Sequence, residues 1–443
     1  MTKIGYRAFY GCKELSYINI PNSVDYIGGF AFLGTKWFEH LPNGLIYINN
    51  LLYSYKGHID NNPLSIKDGV KTICDLAFVD RQDLTSIKLP KSVVEIGQAT
   101  FYNCKELTSI IIPNSVTEIA RSTFKGCQGL TSITIPNSVR KIGSRAFSNC
   151  SGFTSVDIPN SVTEIAESAF EGCTGLTSID IPNSVTEIAE SAFEGCTGLT
   201  SVDIPNSVTA IGRHAFYNNN SLQKIRIPSS VSFIGEQSLS NYSLASIIVD
   251  DDNPVYYSLH GILFKRMEKG DNLLVIYPPK KSGNRFVVDE HTVMLESYAF
   301  QNAQELEEII LHDNIISLGQ HDTFVSCSKL KEIRLPSNCK EIPDRAFADC
   351  SSLKEIFLPN SESYIINYEA FKGCKNIKSI HSSVENIDNI IILDDEEIGL
   401  SVFNDLIVDE CTLYVPVGTL SAYRHHPGFS KFKNIEIETN QKE

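Results

Sequence analysis

A period of 23 residues runs through this chain and constrains its fold more than any other feature. The segment IPNSVTEIAESAFEGCTGLTSID, from Ile158 to Asp180, returns from Ile181 to Asp203 with one change, Ile179 to Val202. Pro90, Pro113, Pro136, Pro159, Pro182, Pro205 and Pro228 keep the same step, as do the phenylalanines from Phe78 to Phe216. Earlier and later copies share the phase, with Phe9 to Phe32 and Pro336 to Pro359 each one period apart. A length of 443 residues would ordinarily suggest about three domains. Repetition overrides that expectation, because a solenoid grows by adding turns that each contact only their neighbours. About fifteen turns are expected from the spacing.

Within one unit, Leu130-Thr-Ser-Ile133-Thr-Ile135 alternates apolar and polar residues, the pattern of a short strand with one buried face. Pro136 ends its ladder, and Asn137 and Ser138 are turn formers. One strand per unit is therefore expected. Val139, Ile142, Ala146, Phe147 and Cys150 supply the opposite wall, at offsets that fit a short helical or 3₁₀ turn. Two segments break the count. Gly44 to Gly57 reads as two strands around Asn49 and Asn50, and GILFKR from Gly261 with LLVIYPP from Leu273 flanks the polar turn Glu268 to Asn272. Both are expected to be hairpins carrying Trp37, Tyr47, Tyr53, Tyr55, Phe264 and Tyr277. Those aromatics either cover the neighbouring core, the favoured reading, or form a recognition edge.

These units, of the form IPNSVTEIxxxAFxxCxxLTSI, resemble the BspA-like branch of leucine-rich repeat proteins, which are bacterial and protist surface proteins. The resemblance covers about residues 1–380, and Cys411 to Tyr423 resembles the terminal cap of such proteins. It implies an α/β-type leucine-rich repeat solenoid of short parallel strands joined by turns or short helices, a secreted or cell-surface location, and adhesion or recognition. The expected organisation is a solenoid over 1–385, with insertions at about 33–76 and 250–290, an acidic irregular segment over 386–410 and a cap over 411–443. Where the general leucine-rich pattern carries a ladder Asn, this chain has Ser115, Ser138, Ser161, Ser184 and Ser207, with Asn338 the exception. A weaker side-chain ladder is expected.

Composition narrows the function. The chain has 38 basic against 53 acidic residues and a net charge of −15, with no basic stripe, so nucleic acid is disfavoured as a partner. No apolar run approaches the 18 residues of a transmembrane helix. Met1 falls in the slot of Val162, with Thr2-Lys-Ile-Gly matching Thr163-Glu-Ile-Ala, so the chain opens inside a repeat and reads as a fragment from which any signal or anchor has been removed. Of twelve cysteines, nine share one repeat position: Cys12, Cys104, Cys127, Cys150, Cys173, Cys196, Cys327, Cys350 and Cys374. A continuous column offers no unique pairing, and small buried thiols are the favoured reading over disulfides. No C-x-x-C spacing suggests zinc.

The outward strand position reads Lys88, Ile111, Thr134, Asp157, Asp180, Asp203, Arg226. Three carboxylates about 4.8 Å apart repel, and each pair costs about 1 kcal/mol in water. Asp157, Asp180, Asp203 and Arg226 are thus the candidate ligand or cation face, with calcium the ion considered, against a plain solvated surface as the favoured alternative. Further along, Glu332, Arg334, Glu355 and Phe357 give the same face a mixed, more apolar character. Asp250 to Asn253 reads as a charged turn, since the EF-hand spacing is absent. Eight acidic residues between Asp388 and Glu410, including Asp394, Asp395, Glu396 and Glu397, read as an irregular solvated loop; His425 and His426 read as surface decoration. No catalytic constellation appears at informative spacing. The expected function is non-enzymatic recognition or adhesion, binding protein ligands such as host matrix or another cell surface. A structural spacer that displays a further domain is the alternative, and an enzyme is the remote one.

Overall fold

The computed structural model describes residues 2–60, 62–394, 401–403 and 408–439. The chain is a parallel-strand solenoid of about 18 turns, more than the fifteen expected. It divides into two compact units, Met1–Leu222 with Ser230–Asn241, and Gln223–Ser229 with Tyr242–Glu443.

In the first unit the expected strand is present: Ser178–Asp180 pairs in parallel with Ser201–Asp203, residue for residue. The expectation of one strand per turn is incorrect, however. A second strand, only two residues long, forms after the proline turn, as in Glu187–Ile188 against Ala210–Ile211. The Ala-Phe segment is neither helical nor 3₁₀. Ser168, Phe170 and Gly172 donate their N–H groups to the carbonyl oxygens of Glu190, Ala192 and Glu194 at 3.0, 2.9 and 2.7 Å. Ser168 and Gly172 have φ of 54° and 69°. A left-handed residue at each end of the segment keeps it from closing a helix, and every second N–H points to the next turn of the solenoid, whereas a helix would direct them back along itself. The second of these left-handed positions is filled by Asn103, Gly126, Asn149, Gly172, Gly195 and Asn218, the residue types that adopt it at least cost, while the first holds Ala99, Ser122, Arg145, Ser168, Ser191 and His214.

Between these ladders the core is built from columns. Phe78 to Phe216 are fully buried and stack at centroid distances of 5.3–5.6 Å. Phe300, Phe324, Phe347 and Phe371 repeat the arrangement in the second unit. All twelve cysteines are free thiols, and eleven are buried; Cys12 is exposed, contrary to its place in the column. The thiols of Cys150, Cys173 and Cys196 donate to the carbonyls of Phe124, Phe147 and Phe170 at 3.0, 3.2 and 3.1 Å. The serine ladder forms at four of its five positions and is interrupted at Ser161, whose buried hydroxyl has no partner among the described residues. Ser115, Ser138 and Ser207 donate one turn back to the carbonyls of Val93, Val116 and Val185 at 2.5–2.7 Å, and Ser184 does so to Val162.

Both hairpins are present, with Gly44–Ile48 antiparallel to Leu51–Lys56, and Ile262–Arg266 antiparallel to Asn272–Ile276. A third strand, Tyr256–Leu259, joins the second hairpin. Tyr53, Phe264 and Tyr277 are buried, and Tyr47 and Tyr55 are half-buried, which fits the covering reading. Trp37 lies on the short helix Lys36–Glu39 rather than on a hairpin, edge-on to Phe32 at 4.8 Å. The segment after residue 386 is more regular than expected at its start: Ile390–Ile392 pairs with Tyr364–Ile366, and Asp394 accepts from Lys431 at 2.7 Å. Asp395, Glu396 and Glu397 lie outside the described residues. Thr412–Val415 and Asn434–Ile437 continue the parallel sheet, joined through the helix Leu420–His425.

Candidate functional site

The structure places Asp157, Asp180 and Asp203 on the exposed strand face of the first unit, with Asp180 and Asp203 directly opposite each other. Asp157 continues the line from Ile111 and Thr134. Arg226 pairs with a carboxylate outside the column: its guanidinium donates to Asp250 at 2.6 Å. That contact also accounts for part of the Asp250 turn. Asn253, buried, accepts from the N–H groups of Val255 and Tyr256 and donates to the carbonyl of Pro228, so its side chain is spent on holding the turn. Among the described residues, no group of three or more His, Cys, Asp or Glu side chains is placed to hold a metal ion.

A second, better-formed constellation lies on the strand face of the other unit. Glu332–Arg334, Glu355–Phe357, Ser379–His381, Thr412–Val415 and Asn434–Ile437 run side by side in parallel. Their register puts Arg334, Phe357, His381, Tyr414 and Glu436 in one outward row. The rings stack: Phe357 on His381 at 4.5 Å and 16°, and His381 on Tyr414 at 4.9 Å and 12°. The Arg334 guanidinium covers the outer side of Phe357 at 4.2 Å, a cation–π contact. His381 is further gripped in its ring plane, with Glu355 Oε1 2.9 Å from Nε2 and Glu438 Oε2 2.6 Å from Nδ1. When the ring carries both protons it donates to both carboxylates at once.

Above this row opens a groove of about 1220 Å³, walled by Ser361, Glu362, Ser382, Ser383, Glu385 and Asn386. Its wall is anchored to the cap. Tyr423, buried, donates to the carbonyl of Val384 at 2.9 Å and lies 2.5 Å from the Ser382 hydroxyl. His426 is likewise structural rather than decorative, since its Nε2 lies 3.1 Å from the Ile390 carbonyl; His425 is exposed, as expected. Sequence reasoning reached Arg334 and Phe357 but not His381, Tyr414 and Glu436. Those follow at intervals of 24, 33 and 22 residues, so a 23-residue count loses them.

Comparison with known proteins agrees with the solenoid fold. The family model for the BspA type leucine rich repeat region (6 copies) matches residues 1–62, 47–175, 141–258 and 280–406. Among solved structures, the chain is similar to a leucine rich cell surface protein from Faecalibacterium prausnitzii, at 27% identity and a TM-score of 0.60 over 90% of this chain and 93% of that one. A leucine-rich repeat protein from Bacteroides ovatus matches at 26% identity and a TM-score of 0.50, over 78% and 94%. The pneumococcal vaccine antigen PcpA shares the fold, at 23% identity and a TM-score of 0.57 over 73% and 85%. No protein of curated function matches the chain. Among the described residues, no helix is long and apolar enough to cross a membrane.

Proposed function

The chain belongs to the BspA-type leucine-rich repeat family, and on that premise we propose that it is a non-enzymatic recognition or adhesion protein of the cell surface or extracellular space, taking protein ligands on its strand face. The observation that carries this reading is the groove over the Phe357–His381–Tyr414 row. Its floor is locked before any ligand arrives, by stacking, by two carboxylates and by the parallel ladder beneath. A floor that loses little freedom on contact keeps more of the gross interaction energy as affinity. Both ring nitrogens of His381, the titratable ring at the centre of the groove, already face carboxylates, an arrangement that suits a fixed surface better than a proton shuttle. A cell-surface location is supported by the similarity to the Faecalibacterium leucine rich cell surface protein.

The test is selection of a displayed random-peptide library on the whole chain, followed by rebinding to a Ser383→Trp variant. Ser383 is an exposed groove residue, so the indole fills the groove without entering the core. Peptides that bind the native chain and lose at least about tenfold in affinity on the variant are expected, a loss that corresponds to about 1.4 kcal/mol. A selection that returns no groove-dependent peptide would leave the spacer reading in its place.

A further inference from the structure

The row Arg334–Phe357–His381–Tyr414 is asymmetric in a way that points to its occupant. At one end a cation, Arg334, closes the stack on Phe357 at 4.2 Å. At the other end Tyr414 stacks on His381 through one face. Among the described residues no second ring or cation covers its opposite side. The residue in register there is Glu436, exposed, on the last strand of the sheet, with Glu438 two residues on. The groove as a whole is also short of positive charge, since Arg334 faces Glu355, Glu362, Glu385 and Glu438 among its lining residues. Two of those, Glu355 and Glu438, are engaged by His381; Glu362 and Glu385 are exposed.

An aromatic face beside a carboxylate attracts a cation by two additive effects, the ring quadrupole and direct charge. Arg334 on Phe357 is the same arrangement made within the chain. We propose that the Glu436 side of Tyr414 is a seat for one arginine or lysine side chain of an extended partner polypeptide lying in the groove, so that the bound cation closes the second end of the stack as Arg334 closes the first. This rests on the recognition reading above and narrows it to a basic segment. The exposed serine and asparagines of the groove, Ser383, Asn360 and Asn386 among them, would serve the partner's backbone, as neutral donors and acceptors do for any sequence.

The probe is a fluorescein-labelled Gly-Ser-Arg repeat peptide, with a Gly-Ser-Gln repeat as its neutral counterpart, both read by fluorescence anisotropy on the whole chain. The arginine peptide is expected to bind more tightly, with affinity falling as salt is added. Tyr414→Leu, which keeps an apolar side chain but no π face, is expected to weaken it by about three- to fivefold, while Tyr414→Phe retains it. Glu436→Gln should weaken it about threefold and flatten the salt dependence. The triple change Asp157→Asn, Asp180→Asn, Asp203→Asn removes acidity elsewhere and should leave it unchanged. Equal binding of the two peptides would overturn the seat, as would a Tyr414→Leu chain that is folded by circular dichroism and binds as the native chain does. So would a triple variant that loses as much as Glu436→Gln, since simple acidity would then explain the binding. Library peptides that lose affinity on Ser383→Trp but carry no excess of arginine or lysine would refute the seat and leave the recognition reading standing.

Discussion

At the scale of single residues, the cysteine column shows how a reactive side chain is made inert. Burial pushes the Cys104 and Cys196 thiols up to about 12, and Cys127, Cys150 and Cys173 are raised well above the ordinary value by burial and by neighbouring thiols. The thiolate is the reactive form, so these groups should not react. A thiol reagent at pH 8 is therefore expected to label Cys12, the single exposed cysteine, and to reach the other eleven only after denaturation. The same shifts set a pH dependence. A thiol whose folded value lies above its unfolded value of 9.0 binds its proton more tightly in the native state, so its stabilisation is complete below pH 9 and is lost as pH rises from there toward 12. The unfolding free energy measured in urea should fall between pH 8 and pH 10, by about 1 kcal/mol for each of these five thiols. Replacing Cys127, Cys150 and Cys173 with alanine should flatten that slope. An unchanged slope would mean that the thiols are not the groups responsible.

At the scale of the repeat element, two glycine columns that look alike in sequence have different causes. Gly172 is left-handed, and asparagine fills the same place at Asn149 and Asn218. Gly175 has no such conformation; a Cβ there would lie 2.4 Å from the Ser151 carbonyl oxygen and 2.6 Å from that of Phe153. Those atoms belong to the backbone of the preceding turn and cannot rotate away. Gly175→Ala should therefore cost about 1–3 kcal/mol by overpacking, whereas Gly172→Asn should be tolerated better, because the atom it meets is the flexible Asn149 side chain. Urea denaturation of the two variants checks this, and equal losses would contradict it. The distinction marks the limit of what the sequence shows. Period and alternation locate the Ser178–Asp180 strand, the Phe and Cys columns and both hairpins. They miss the Glu187–Ile188 ladder because two residues are too few to alternate. They misread Ile142, Ala146 and Phe147 because a chain of turns punctuated by left-handed residues spaces its buried residues much as a helical turn does. At the candidate site, the count fails where His381, Tyr414 and Glu436 follow irregular intervals, and stacking between turns is a contact that no local pattern encodes.

At the scale of the whole molecule, each turn contacts only its neighbours, so a charge acts over a turn or two rather than on the chain at large. That makes the Asp157–Asp180–Asp203 column separable from the groove, which lies in the other unit. The carboxylates are exposed, and Asp180 and Asp203 face each other across adjacent strands in a chain of net charge −15. If the column is idle, converting all three to asparagine removes repulsion of about 1 kcal/mol at each of the two adjacent pairs, so the thermal midpoint should rise by about 2–4 °C at low salt. The gain should shrink at high salt, as the Debye length falls to about 3 Å near 1 M. If the column instead holds calcium, the native chain should melt higher in millimolar calcium than in EDTA, by mass action on the folded state. The asparagine variant would lose that increment and melt below the native chain whenever calcium is present. A rise of several degrees with calcium, abolished in the variant, would turn the column from a surface copied along with its repeat into a cation-dependent binding face.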